Sequence, residues 1–284
     1  MIKKGIVIGF TIVFAGILSA SNDVVGARIN LAPEEIVENA ENNPENEKVR
    51  DVPPRTMPDF SRLSGGKLLK TMFFDFLRPI VEAENDRVMS QRRFVKRSYV
   101  AFKNGWELNE EHHERLDKIA REYKLWNLTF TNKKDFRDLL MRVDKVPESL
   151  TLIQAANESA WGTSYFATKG NNLFGQWCFT EGCGMVPRNR SEGATHEVQT
   201  FSSVNEAVRA YINNLNTHEA YKHFRNLRYD SRQKGLELEG SHLALGLQKY
   251  SSKGMEYVNI LRSMIESNKS LLAKAKWFCF SVDM

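Results

Sequence analysis

Between Phe73 and Phe102 the apolar residues Phe73, Leu77, Ile80, Val88, Val95, Tyr99 and Phe102 recur at steps of three, four, seven or eight. That spacing draws one buried stripe along a helix, and it commits the start of the body to helical packing. Pro79 interrupts the stripe and is expected to kink it or to start its second half. Asn109 before Glu110 and Glu111 reads as an N-cap with acid in the first turn, leading into Leu116, Ile119, Ala120 and Tyr123. Phe136, Leu139, Leu140 and Val143 mark another helix. Pro147, at a position suited to N1, opens the next, whose core face is Leu152, Ile153, Ala156 and Ala160 and which Gly162 is expected to stop.

The pattern changes from Phe174 to Phe201. Gly and Cys become frequent and Glu197-Val198-Gln199-Thr200-Phe201 alternates, so a short β-hairpin or ragged β-lobe is expected, turning near Arg188–Gly193. Helices resume at the capping box Ser203-Val204-Asn205-Glu206, and Tyr257, Leu261, Met264 and Ile265 stripe a last one. The chain therefore reads as α+β, mostly α: a helical body carrying a small β-lobe.

Lys3 and Lys4, an uncharged apolar run from Gly5 to Leu18, and small residues at Ser19, Ala20 and Ser21 follow the order of a secretory signal. A cleaved signal peptide over residues 1–21 and an uncleaved anchor through residues 5–20 are both compatible with it, and both place the protein in the periplasm or cell envelope. Residues 22–59, rich in Glu, Asn and Pro, read as an acidic disordered linker. Beyond it, residues 60–284 carry 34 Lys/Arg against 26 Asp/Glu. Such a basic body suits an anionic polymer, but no nucleic-acid motif accompanies it and none is expected as a partner. Cys178 and Cys183 would close a small ring in an oxidising compartment if the turn brings their α-carbons within about 7 Å; free thiols are the plain alternative. Nothing in the sequence fixes the oligomeric state.

The segment Gln154-Ala155-Ala156-Asn157-Glu158-Ser159-Ala160-Trp161-Gly162 carries the chemistry. Glycoside cleavage needs a carboxylic acid still protonated near neutral pH, and apolar surroundings penalise the charged form of a Glu. Glu158, between alanines and a Trp at a helix end, has such surroundings, although a Glu in a helix is most often a solvated surface charge.

The stretch continues through Ser164-Tyr165-Phe166-Ala167 to Gly170-Asn171-Asn172-Leu173-Phe174-Gly175. With its Glu-Ser-x-Trp-Gly turn followed by Asn-Leu-Phe-Gly, it resembles the glucosaminidase family of peptidoglycan hydrolases over roughly Val146 to Ser267. The wider chain, with Phe73-Phe74-Asp75-Phe76-Leu77-Arg78-Pro79-Ile80, is similar to the Bax-type proteins of Gram-negative bacteria. The resemblance implies a lysozyme-like domain over residues 146–284 preceded by a helical arm over 60–145. It implies peptidoglycan glycan strands as substrate, cut after N-acetylglucosamine, with Glu158 as general acid and neither metal nor cofactor. It also makes Tyr250-Ser251-Ser252-Lys253-Gly254-Met255-Glu256-Tyr257 a degenerate form of the family's Tyr-Ala-Thr-Asp-x-x-Tyr string, with Tyr250 facing the cleft and Tyr257 starting a helix.

Inversion would need a second carboxylate about 6.5–9.5 Å from the first, to activate water. Glu197 on the predicted strand is favoured slightly over Glu192 in the turn, with Glu181 a further candidate; the substrate's own N-acetyl group could take that part instead. Trp177, Asn172 and Phe174 are the candidate substrate contacts: Trp177 offers a flat face to a sugar ring, while the resemblance implies that the Asn side-chain bonds fix the turn and that Phe174 packs beneath it, core being the preferred reading for Phe174. Trp161 reads as core. His218-Glu219-Ala220-Tyr221-Lys222-His223 has one residue too many for a zincin helix, so no metal site is expected there. A lytic transglycosylase, a muramidase on the same fold, and an inactive wall-binding protein are the rival readings.

Overall fold

A computed structural model describes residues 50–63, 66–188, 190 and 193–273. The expected signal or anchor, the linker up to residue 49, Glu192 and Cys279 lie outside the described residues. Ten α-helices and a three-stranded antiparallel sheet follow one another in the described residues, giving the mostly helical α+β class. The helices are α1 (Lys67–Lys103), α2 (Glu110–Glu122), α3 (Lys133–Arg142), α4 (Glu148–Glu158) and α5 (Tyr165–Gly170) before the sheet. After it come α6 (Val204–Thr217), α7 (Lys222–Gln233), α8 (Gly240–Leu243), α9 (Met255–Ser267) and α10 (Lys269–Leu272). Short 3-10 turns lie at Glu219–Tyr221 and Ala244–Leu247.

α1 runs unbroken through Pro79 for 37 residues. Its stripe is buried as the spacing requires, with Phe73, Phe74, Leu77, Ile80, Val81, Val88 and Val95 all under 3% exposed. Asn109 caps α2 by accepting the His112 N–H, and Ser203 caps α6 by accepting that of Glu206. Side chains from both sides of residue 145 share one core: Phe73 and Leu77 of α1 lie in it with Leu152 and Ile153 of α4 and Leu261 of α9. The expected arm is thus a wall of the same body, because its apolar stripe is too wide to be left in water.

A buried charge cluster holds the end of α3 and the segment that leads to α4. The Arg228 guanidinium, 1% exposed, donates to the main-chain oxygens of Met141, Arg142, Asp144 and Lys145 and to Asn216 Oδ1. These include carbonyls that the end of α3 leaves without helical partners. The Asp144 carboxylate takes a two-pronged contact from Arg232 and lies 3.5 Å from Arg92. Burial alone would raise Asp144, but Arg228, Arg232 and Arg92 outweigh it and hold the carboxyl below its ordinary range.

Residues 50–59 depart from the linker expectation. They form a strap on the body: the Val204 N–H donates to Arg55 O, the Arg55 N–H to Asn205 Oδ1 and the Met57 N–H to Asn171 Oδ1. Met57 is buried against Gly162. Prolines here leave the chain extended, and its free N–H groups find side-chain acceptors in place of a helix.

In the β-lobe, β3 (Glu197–Gln199) is central, flanked by β1 (Trp177–Cys178) and β2 (Gly184–Met185), with Trp177 opposite Val198 and Cys178 opposite Glu197. The expected hairpin is present, since β2 and β3 pair antiparallel across the segment 186–196, and a third short strand joins it. Cys178 and Cys183 form a disulfide, their α-carbons 6.2 Å apart.

Candidate active site

α4 ends at Glu158, and the next residues reverse the chain in a left-handed turn. Ala160, Trp161 and Gly162 have φ of 50°, 59° and 78°. L-residues resist that region, so two in succession need outside support. Ser159, fully buried, supplies part of it: its hydroxyl donates to Ala155 O and accepts the Gly162 N–H. Trp161 supplies the rest by packing on Phe73 and Phe74 of α1, ring centroids 5.8 and 5.4 Å away. A β-carbon on Gly162 would sit 2.2 Å from Met57 Cε, which would have to shift, and the φ of 78° itself favours glycine. Ser, Trp and Gly of the motif are therefore the mould that presents Glu158.

The second turn approaches from the other side. Asn171 adopts a left-handed conformation and donates to Phe201 O. Asn172 uses its whole amide on the turn: Nδ2 donates to Gln176 O and Gln199 O, and Oδ1 accepts from the N–H groups of Phe174 and Gln176. Phe174 stacks on Tyr211 with centroids 4.0 Å apart. Asn172 and Phe174 are only 2% and 1% exposed: the Asn side-chain bonds fix the turn and Phe174 packs beneath it, as the resemblance implies, and neither is turned outward as a substrate contact. The exposed residue is Gly175, with φ of 63°. A β-carbon there would lie 3.6 Å from Glu158 Oε2.

Glu158 itself is half-buried and, among the described residues, in no ion pair. Its surroundings are less apolar than its sequence neighbours suggest. Oε1 accepts from Tyr257 Oη at 2.7 Å and from Asn157 Nδ2 at 3.1 Å, while Oε2 points toward exposed Gly175. Behind Tyr257 lies Gln154, fully buried one turn up α4, whose Nε2 donates to Tyr257 Oη at 3.0 Å. Tyr211 Oη donates in turn to Gln154 Oε1.

Tyr257 starts a helix as expected, but Tyr250 is turned to the main chain. Tyr257, on the first turn of α9, reaches the carboxylate, whereas Tyr250 donates to Phe174 O at 2.8 Å and stacks on Tyr257 at 5.5 Å. Tyr250 therefore steadies the Asn-Leu-Phe-Gly turn. Burial, followed by the Glu158 charge and its hydrogen bond, pushes the Tyr257 phenol far above its ordinary value. Burial likewise raises Tyr211 and Tyr250, and pushes Tyr221 up to about 12. The carboxylate thus faces phenols that keep their protons. Tyr257 and Gln154 were missed as a pair because their contact spans 103 residues; the seven-residue step from Tyr250 to Tyr257 was the visible clue.

Glu197 is occupied. Oε1 accepts the Gly182 N–H at 3.1 Å and Oε2 that of Gly184 at 2.8 Å, clasping the disulfide loop to β3. These two bonds hold its carboxyl below the ordinary range. Cys178, Cys183 and Glu197 do lie together, but the sulfurs are bonded to each other and the carboxylate to backbone, so no metal ligand set is left free there. Trp177, 56% exposed, stacks on His196 at 4.3 Å and offers its other face outward. His218 caps the 3-10 turn by accepting the Ala220 N–H.

The family described as mannosyl-glycoprotein endo-beta-N-acetylglucosaminidase matches residues 133–270, which span α3 to α10. Protein bax of Escherichia coli (strain K12) is 35% identical over 219 residues, covering 77% of this chain and 76% of that protein. No solved structure matches. With the paired Glu-Ser-x-Trp-Gly and Asn-Leu-Phe-Gly turns closing on one carboxylate, the chain belongs to the glucosaminidase family as a Bax-type member.

Proposed function

We propose that the protein is an exported peptidoglycan hydrolase that cleaves β-1,4 bonds after N-acetylglucosamine, with Glu158 as the general acid. One observation carries this reading: a half-buried carboxylate holds one oxygen against two donors and turns the other toward an exposed glycine. An acid in this setting protonates the departing glycosidic oxygen as the C1–O bond breaks. Family membership supports a glycan as the substrate class.

Because both oxygens of Glu197 are bonded to main-chain N–H groups, we favour the substrate acetamide oxygen as the group that attacks C1. Water then opens the resulting ring, and the product keeps its anomeric configuration. Trp177 is the proposed stacking platform. Export, with a cleaved signal or a tether through residues 5–20, is supported by the Cys178–Cys183 disulfide, a bond that persists in oxidising compartments. Among the described residues no helix is long and apolar enough to cross a membrane.

The test is digestion of purified sacculi by the full chain, with the new glycan ends identified by mass spectrometry. Reducing N-acetylglucosamine ends support the proposal. Reducing N-acetylmuramic acid or 1,6-anhydro ends would reassign it as a muramidase or a transglycosylase, and no release would favour a wall-binding protein. Proton NMR of the first product formed reads the anomer, and inversion would reinstate a second carboxylate.

A further inference from the structure

Resting on that reading of Glu158, we infer that the buried Tyr211–Gln154–Tyr257 chain is a positioning device that makes Glu158 Oε1 an acceptor and leaves the transferable proton on Oε2.

The polarity of the chain follows from what each atom can do. A phenol has one hydrogen, and an amide nitrogen can only donate. Tyr257 Oη lies 3.0 Å from Gln154 Nε2 and 2.7 Å from Glu158 Oε1. Its lone pair is therefore taken by Gln154, and its single hydrogen goes to Glu158. The amide is oriented at its other end, where the Tyr211 hydroxyl donates to the carbonyl oxygen. Turning the amide over would set the carbonyl against Tyr257 and draw the phenolic hydrogen away from Glu158. Gln154 and Tyr211 are both fully buried, so removing either one leaves the other with an unpaired group, which is costly.

Oε1 also accepts from Asn157. A hydrogen placed on that oxygen would face two other hydrogens, so the neutral acid carries its proton on Oε2, beside exposed Gly175. The groups that sense the Glu158 charge are the phenols of Tyr211 on α6, Tyr221 on the 3-10 turn, Tyr250 before α9 and Tyr257 on α9. Three helices thus fix which oxygen of one carboxyl can act.

The experiment measures kcat and KM on solubilised glycan strands across pH for Tyr257→Phe, Tyr211→Phe, Gln154→Met and the Tyr257→Phe/Gln154→Met double variant, with Glu158→Gln alongside. Removing a donor from the carboxylate favours its neutral form. The alkaline limb of Tyr257→Phe should therefore move up by roughly 0.5–1 pH unit. Its kcat should fall about 10- to 100-fold, with KM within about twofold. Tyr211→Phe should move the limb the same way by less. The double variant should be no slower than Tyr257→Phe alone, because both substitutions break one chain. Limbs that superimpose on the wild type, or losses that multiply, would overturn the inference. Should Tyr257→Phe fail to fold, Tyr211→Phe decides, since it removes one hydroxyl and keeps the ring on Phe174. An inactive Glu158→Gln beside unmoved limbs defeats the positioning chain alone; an active one defeats the acid assignment and the chain with it.

Discussion

Glu158 at the end of α4 and Glu197 on β3 are two carboxylates held in opposite ways. Glu158 ends a helix, with one oxygen taken by side-chain donors and the other turned to an exposed glycine. Glu197 sits in mid-sheet with each oxygen on a backbone N–H. The first keeps one oxygen without a hydrogen-bond partner among the described residues. The second has become part of the scaffold, and its stabilised charge makes it a poor proton carrier. Carboxylates in one small region are thus sorted by their unsatisfied atoms, more than by burial or by nearness to a motif.

The comparison breaks most visibly if the free oxygen is blocked. Gly175→Val places branches in front of Oε2 at a φ that L-residues resist, so turnover should fall about 100-fold while the fold survives at a cost of about 1–2 kcal/mol. Steady-state rates and thermal melts would check it; wild-type turnover would mean that substrate does not approach past Gly175.

On the scaffold side, Cys178→Ser/Cys183→Ser should cost roughly 2 kcal/mol in chemical denaturation and leave the Glu158 end intact. Met57→Ala should cost a similar amount, about 2 kcal/mol, because the strap fills the space above Gly162.

A smaller and more local effect is expected of Glu197→Gln. The amide NH₂ meets one of two N–H donors, so the Gly182 and Gly184 amides should exchange hydrogen roughly 10-fold faster. The same loop should loosen in acid. A carboxyl held below its ordinary value contributes stability that is complete above that value and lost as pH falls through the lowered one. Between pH 6 and 3 the protection factors of these amides, corrected for the intrinsic exchange rate, should fall in the wild type more steeply than in the Gln variant.

Much of the helical body was legible because its signals are local. The stripe of α1, the caps at Asn109 and Ser203, and the end of α4 near Glu158 each depend on neighbours within a turn or two. The disulfide ring was legible as one of two options, since spacing permits closure without requiring it. What escaped depends on distant partners. Residues 50–59 look like linker by composition, yet Asn171 and Asn205 supply the acceptor and donor groups that pin them down. Glu197 alternates as a strand residue should, but its role depends on where the chain returns at Gly182 and Gly184. The meeting of Tyr257 with Glu158 joins residues 99 positions apart. The family string marked both rings and left the question of which one meets Glu158 to the packing.

The central claim is that position 158 supplies the proton and position 197 supplies only shape. The most direct measurement is a side-by-side release of soluble fragments from purified sacculi by Glu158→Gln and Glu197→Gln, each shown to be folded by circular dichroism. The account predicts a loss of about 10³-fold or more for the first and less than about 10-fold for the second. Equal losses, or a Glu158→Gln protein that still digests sacculi at the wild-type rate, would contradict it.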